Sequence, residues 1–180
     1  YGNFVGVMAN VLYIHGMGGG ADSRIPSILR ECFSSHPVYS ERREEDISIV
    51  CRTYNFDPET AAGQISSWIE ELKPVLIIGE SLGSLHAIRV KDVPHLFVSP
   101  ALNTSFYFEL LAWLTLIPGI TWIFDRIYKP REGDRQPLHF TFRTLRKYMK
   151  HRREALKNSS LSGSPDIFYA FFGSHDHYRR

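Results

Sequence analysis

The stretch Val75-Leu76-Ile77-Ile78-Gly79-Glu80-Ser81-Leu82-Gly83 limits the possible folds of this chain more than any other. An aliphatic run leads straight into Gly-x-Ser-x-Gly, and Leu82 to Val90 continues as a helix-like segment. A sharp strand-to-helix turn of this kind strains the backbone of its central residue. It also presents that side chain above the carboxyl edge of a sheet. Small residues two positions to either side prevent clashes and let the helix pack close to the strand. The pattern predicts a buried strand, a tight turn with Ser81 at its apex, and a helix behind it. It nominates Ser81 as a nucleophile supported by Gly79 and Gly83, against the plainer reading of a turn without chemistry.

Four further apolar runs resemble this strand: Val11–Ile14, Ile47–Cys51, His95–Val98 and Ile167–Phe172. They are rich in Val, Ile and Phe and lack long polar alternation, which is how parallel strands covered on both faces read. Helix-like segments lie between them. Ser23 to Phe33 places Ile25, Ile28, Leu29 and Phe33 at helical spacing. Asp57-Pro58-Glu59 combines an N-cap, a first-turn proline and an acid, opening a helix that Lys73-Pro74 closes. Repeated strand–helix alternation predicts an α/β fold with a doubly wound, mostly parallel sheet in three αβα layers, strand order 2-1-3-4-5. With 180 residues, 43% hydrophobic and 22% charged, the chain can bury one substantial core. Disordered, collagen-like and disulfide-scaffold classes are excluded.

The alternation stops after Pro100. Residues 101–164 contain no convincing strand and form a helical insertion, here expected to be a cap, between core segments 1–100 and 165–180. Its first half is aromatic (Phe106, Tyr107, Phe108, Trp113, Trp122, Phe124). These side chains either line an acyl or aryl pocket or cover the sheet as ordinary core. Its second half is basic: residues 126–157 hold eleven Lys/Arg against Glu132, Asp134 and Glu154. That half reads first as a solvated helix face, and secondarily as an attractor for an anionic substrate or membrane surface. The uncharged run Leu110–Phe124 is broken by Pro118-Gly119 and is too short to span a bilayer. It leaves an apolar lid or a surface-lying helix open.

A second motif follows the first strand. Val11-Leu12-Tyr13-Ile14 runs into His15-Gly16-Met17-Gly18-Gly19-Gly20. Acyl transfer needs backbone N–H donors aimed at a developing oxyanion. Leu82, after the candidate nucleophile, and Met17, in this loop, are the candidate pair. In the expected strand order both motifs end at the switch point between strands 1 and 3, so they converge. A phosphate cradle is disfavoured because no Lys-Ser/Thr follows the glycines.

Together these segments resemble the α/β-hydrolase superfamily in a small, bacterial-esterase-like version. The matching parts are His15-Gly16-Met17-Gly18, Gly79-Glu80-Ser81-Leu82-Gly83, His95 to Ala101, and Pro165 to Asp176. The resemblance implies a serine hydrolase acting on a small-molecule acyl ester or a related substrate. It implies Asp176, in Gly173-Ser174-His175-Asp176, as the triad acid, and His15, Gly16 and Gly18 as support for the oxyanion loop. The sequence departs from the family at the base, whose histidine should follow the acid on a later loop. Only His177 comes after Asp176, immediately beside it and near the end of the sequence. The reading is therefore a fragment without its last helix, strand and catalytic histidine, with an upstream read-through before Met8. The alternatives are a non-catalytic binding protein of the same fold, and an acyltransferase using the same site.

Other partners are disfavoured. No cofactor fingerprint is present, and His175-Asp176-His177 does not complete a dinuclear metal pattern, so neither cofactor nor metal is expected. A net charge of +2 without a stacking platform argues against nucleic acid. Cys32 and Cys51 cannot form a staple framework, and they suggest reduced thiols in the cytoplasm. Oligomeric state is not legible.

Overall fold

The computed structural model describes residues 9–35, 47–103, 105–130, 133–161 and 168–172. Asp176 and its neighbours His175 and His177 lie outside the described residues, as does the start of the Pro165–Asp176 segment.

Five strands form one sheet: β1 (Ala9–Ile14), β2 (Ile47–Cys51), β3 (Leu76–Glu80), β4 (His95–Val98) and β5 (Phe168–Phe171). Their order is β2-β1-β3-β4-β5, and every pair is parallel. This is the doubly wound α/β sheet that the buried apolar runs require. Helix α1 (Arg24–Ser35) supplies Ile25, Leu29 and Phe33 to one face, where they meet Val11, Tyr13, Ile49, Cys51 and Ile78. The opposite face carries Leu12, Ile14, Ile77 and Phe97. There they pack under Ala61, Ile65, Trp68 and Ile69 of α2 (Pro58–Leu72) and Ala87 of α3 (Gly83–Ala87). Alternate residues of β1 thus serve opposite layers, as the strand period demands.

Helix α2 begins where its capping sequence says it should. The Asp57 carboxylate accepts from the Glu59 and Thr60 N–H groups, and Lys73 ends the helix at φ +44°. Helix α3 is shorter than the segment suggested by Leu82–Val90. Val90 N–H donates back to the Ala87 carbonyl, which the His95 imidazole also contacts at 2.9 Å. The chain has to turn here to enter β4.

Three helices follow: α4 (Ser105–Leu114), α5 (Ile120–Ile127) and α6 (Phe142–Leu161). Their buried residues Phe108, Ala112, Leu145 and Tyr148 join Phe56, Leu82 and Leu85 in a third apolar cluster, with Leu138 and Phe140. The aromatic stretch is therefore divided. Phe108 is core, whereas Trp113 and Trp122 are more than half exposed. The basic half is also not wholly solvated. Leu145, Tyr148, His151 and Ala155 face inward, and the Lys147 ammonium pairs with Asp57 and Glu59, each at 2.7 Å. No helix among the described residues is long and apolar enough to cross a membrane.

Candidate active site

Strands β1 and β3 are neighbours, with Ile14 opposite Gly79, so the loops leaving their carboxyl ends meet at the switch point. Ser81 stands in the left-handed region at φ +48°, one of four non-glycine residues that do so among the described residues. Such a conformation costs about 1–3 kcal/mol and persists only where the surroundings enforce it. Here they do. The Ser81 N–H donates to the Val98 carbonyl at 3.0 Å, and its own carbonyl accepts from Ser84 at 3.2 Å and Ala101 at 3.1 Å.

Sterics explain the flanking glycines. A Cβ on Gly79 would lie 2.9 Å from Ser84 Cα, and one on Gly83 would collide with the Ile14 and His15 carbonyls. Helix α3 can approach β1 and β3 this closely only because both side chains are missing. Gly16 is bounded differently, since its added Cβ would sit 3.1 Å from Ser81 Cβ. The His15-Gly16-Met17-Gly18 loop and the Ser81 turn are therefore in direct contact.

The amides of this loop have specific partners. Gly16 N–H donates to Glu80 Oε2 at 3.4 Å, and Gly18 N–H to Gln136 Oε1 at 3.1 Å. Gly19 N–H donates to the Gly16 carbonyl at 3.1 Å, and Gly20 N–H to Ser23 Oγ at 3.1 Å. The Met17 and Leu82 N–H groups, one on each loop, have no acceptor among the described residues. The Ser81 side chain is half-buried, and its hydroxyl has no hydrogen-bond partner among the described residues.

His15 is fully buried. Its Nδ1 lies 2.7 Å from the Gly16 carbonyl, and its ring stacks on Tyr54 with centroids 4.3 Å apart. Burial lowers its pKa below the ordinary imidazole value, which favours the neutral ring. His86 is also buried, between Tyr54, Tyr148 and His151, and burial holds its pKa well below normal. The described histidines make no hydrogen bond to Ser81.

Several supporting residues had no sequence signal. Gln136 accepts from Gly18 and donates Nε2–H to the Tyr54 carbonyl at 3.1 Å. Tyr54 in turn donates its hydroxyl to the His15 carbonyl at 2.7 Å. Glu80, the variable residue of the Gly-x-Ser-x-Gly turn, accepts from the Tyr13 hydroxyl at 2.7 Å. This bond and burial together push the Tyr13 pKa upward. Asp134 and Arg135 complete the brace, with Ala21 N–H donating to the Asp134 carbonyl and Arg135 Nε pairing with Asp22 at 3.2 Å. A lone glutamine in a basic, proline-containing segment gives no hint that it reaches residue 18. Among the described residues, no cluster of three or more His, Cys, Asp or Glu could hold a metal ion.

No family model matches the sequence, and no curated protein matches it. Among solved structures, the chain is similar to the crystal structure of Paleococcus ferrophilus monoacylglycerol lipase, with TM-score 0.52 and 18% identity. That likeness covers 93% of this chain and 86% of the lipase. At this identity it is a likeness of fold: a parallel five-stranded sheet between helices.

Proposed function

We propose that the protein is a serine hydrolase of carboxylic esters. The observation that carries the reading is the pairing of Ser81 at φ +48° with two neighbouring amide donors, Met17 and Leu82, that have no acceptor among the described residues. In the proposed reaction the Ser81 hydroxyl gives its proton to a histidine oriented by Asp176, and Oγ attacks the acyl carbon. The carbonyl oxygen takes the negative charge and is held by the Met17 and Leu82 N–H groups. Collapse of this intermediate expels the alcohol, which receives the proton from the histidine. Water, deprotonated by the same base, then releases the acid and regenerates Ser81. The substrate class is a small-molecule acyl ester, which agrees with the lipase named above. Segment 101–164 is proposed as the element that covers this site.

A fluorophosphonate probe tests the reading on the full-length gene product. It should label the native protein and leave Ser81→Ala unlabelled. Equal labelling of the two would overturn the assignment and leave a binding protein of the same fold.

A further inference from the structure

The stretch from α4 to α5 has an outer surface that the catalytic reading does not use. Leu110, Trp113, Leu116, Ile117, Trp122 and Ile127 are each more than half exposed. On α4, Leu110, Trp113 and Leu114 share the side opposite the buried Phe108 and Ala112. On α5 no residue is fully buried; Trp122 lies across the helix from Phe124, which meets Phe140, and Ile123 and Ile127 are exposed on its flanks. Folding therefore leaves a largely apolar surface exposed to water.

The charges around this surface are mostly positive. The Arg126 guanidinium lies 5.8 Å from the Trp122 ring centroid. Arg146 lies 5.9 Å from the Phe142 ring, which meets Trp113 edge-on at 5.6 Å. Lys129 and Arg143 are exposed nearby in sequence. Of the two carboxylates in α4 and α5, Asp125 is already paired with His139 at 2.9 Å, which leaves Glu109. Tryptophans with adjacent arginines suit the boundary between acyl chains and anionic headgroups. A second copy of the chain would suit it poorly, because self-docking would bring two cationic rims together.

We propose that the outer face of α4 and α5 is a docking surface for an anionic lipid bilayer, on which the two helices lie without crossing it. The surface leads toward the candidate active site. Beyond Ile127, Tyr128, Lys129 and Pro130 line an open cavity of 700 Å³ together with Met17 and Gly18. Docking would bring this cavity close to the headgroup layer. The inference goes beyond the hydrolase reading and does not depend on it, since binding is measured without turnover.

Co-sedimentation of the full-length protein with vesicles tests it. Phosphatidylglycerol–phosphatidylcholine (1:1) vesicles should capture the protein at least about tenfold better than pure phosphatidylcholine, with the advantage shrinking as salt rises. Trp122→Ser and Ile127→Ser should each weaken capture by about tenfold while leaving the Tm unchanged. Arg126→Gln and Arg146→Gln should each cost about fivefold on the anionic vesicles and little on the neutral ones. Ser81→Ala should sediment like the native protein. Failure to sediment, or sedimentation unaffected by these four substitutions, would overturn the proposal. So would a stable dimer that Trp122→Ser dissociates, which would make this face a contact between copies of the chain.

Discussion

The turn at Ser81 and the outer face of α4–α5 are opposite ways of using side chains. Around Ser81 nearly every position is limited by a neighbour. Gly83 is held against two carbonyls, Gly79 against α3, and Gly16 against Ser81 itself. On α4–α5 the large side chains face solvent, and their identity is not required by packing. The first region has a geometry that tolerates almost no added atom. The second has a chemistry that the fold does not need, so its apolar character calls for an explanation outside the fold. Stability should therefore be sensitive to one region and indifferent to the other.

The sharpest way to break this contrast is at Ser81 and its flanking glycines. Ser81→Ala should lower ester hydrolysis by the full-length protein at least about a thousandfold with little change in Tm, measured by steady-state kinetics and thermal melts. Gly83→Ala should do the reverse and lower stability rather than act on the chemistry. Driving a methyl group into the Ile14 and His15 carbonyls should cost about 3 kcal/mol, or a Tm drop of roughly 6–12 °C. A Gly83→Ala protein with native Tm would show that α3 is free to move off the sheet.

A smaller effect is expected where segment 134–136 braces the glycine loop. Gln136→Ala leaves the Gly18 N–H and the Tyr54 carbonyl without partners and should cost about 2 kcal/mol, read by chemical denaturation. If the loop is held elsewhere, stability will not change.

The junction of α2, α3 and α6 should respond to pH. Burial and the adjacent Arg89 guanidinium bring the His151 pKa down to about 4. The unfolded imidazole binds its proton near the ordinary value of 6.5. Below that pH the unfolded chain is protonated while the folded one is not. Stability is therefore complete above the unfolded pKa and falls as pH drops toward the folded one, by at most about 1.4 kcal/mol per pH unit from this residue. His86 acts in the same direction. Denaturation midpoints measured from pH 7 to 5 should fall, and His151→Phe should flatten the slope.

The smallest expected change belongs to the other region. Trp122→Ser should alter stability in solution by no more than about 0.5 kcal/mol. A larger loss would mean that the exposed face is part of the core after all.

Much of the fold could be read from local pattern. The sequence runs for β2 and β4 coincide with the strands. Strand β3 continues two residues further, to Glu80, because its backbone still pairs with Val98. The tight turn at Ser81 was legible because it needs small residues at fixed positions on either side. Tyr54, Glu80 and Gln136 were not, because a long polar side chain gives no sign of a partner as distant as Gly18 is from Gln136. The division of the aromatic stretch was equally hidden. Phe108 and Trp113 differ in burial only through what packs beside α4.

The sequence alone determined the alternation of strand and helix, the parallel sheet and the two glycine-bounded turns. These depend on residue size, period and backbone freedom over a few neighbouring positions. Only the tertiary structure decided that the two turns touch and that segment 134–136 braces the glycine loop. It also decided which half of the aromatic stretch stays in water. Those outcomes depend on distances between residues far apart in the chain, and local pattern carries no record of such distances.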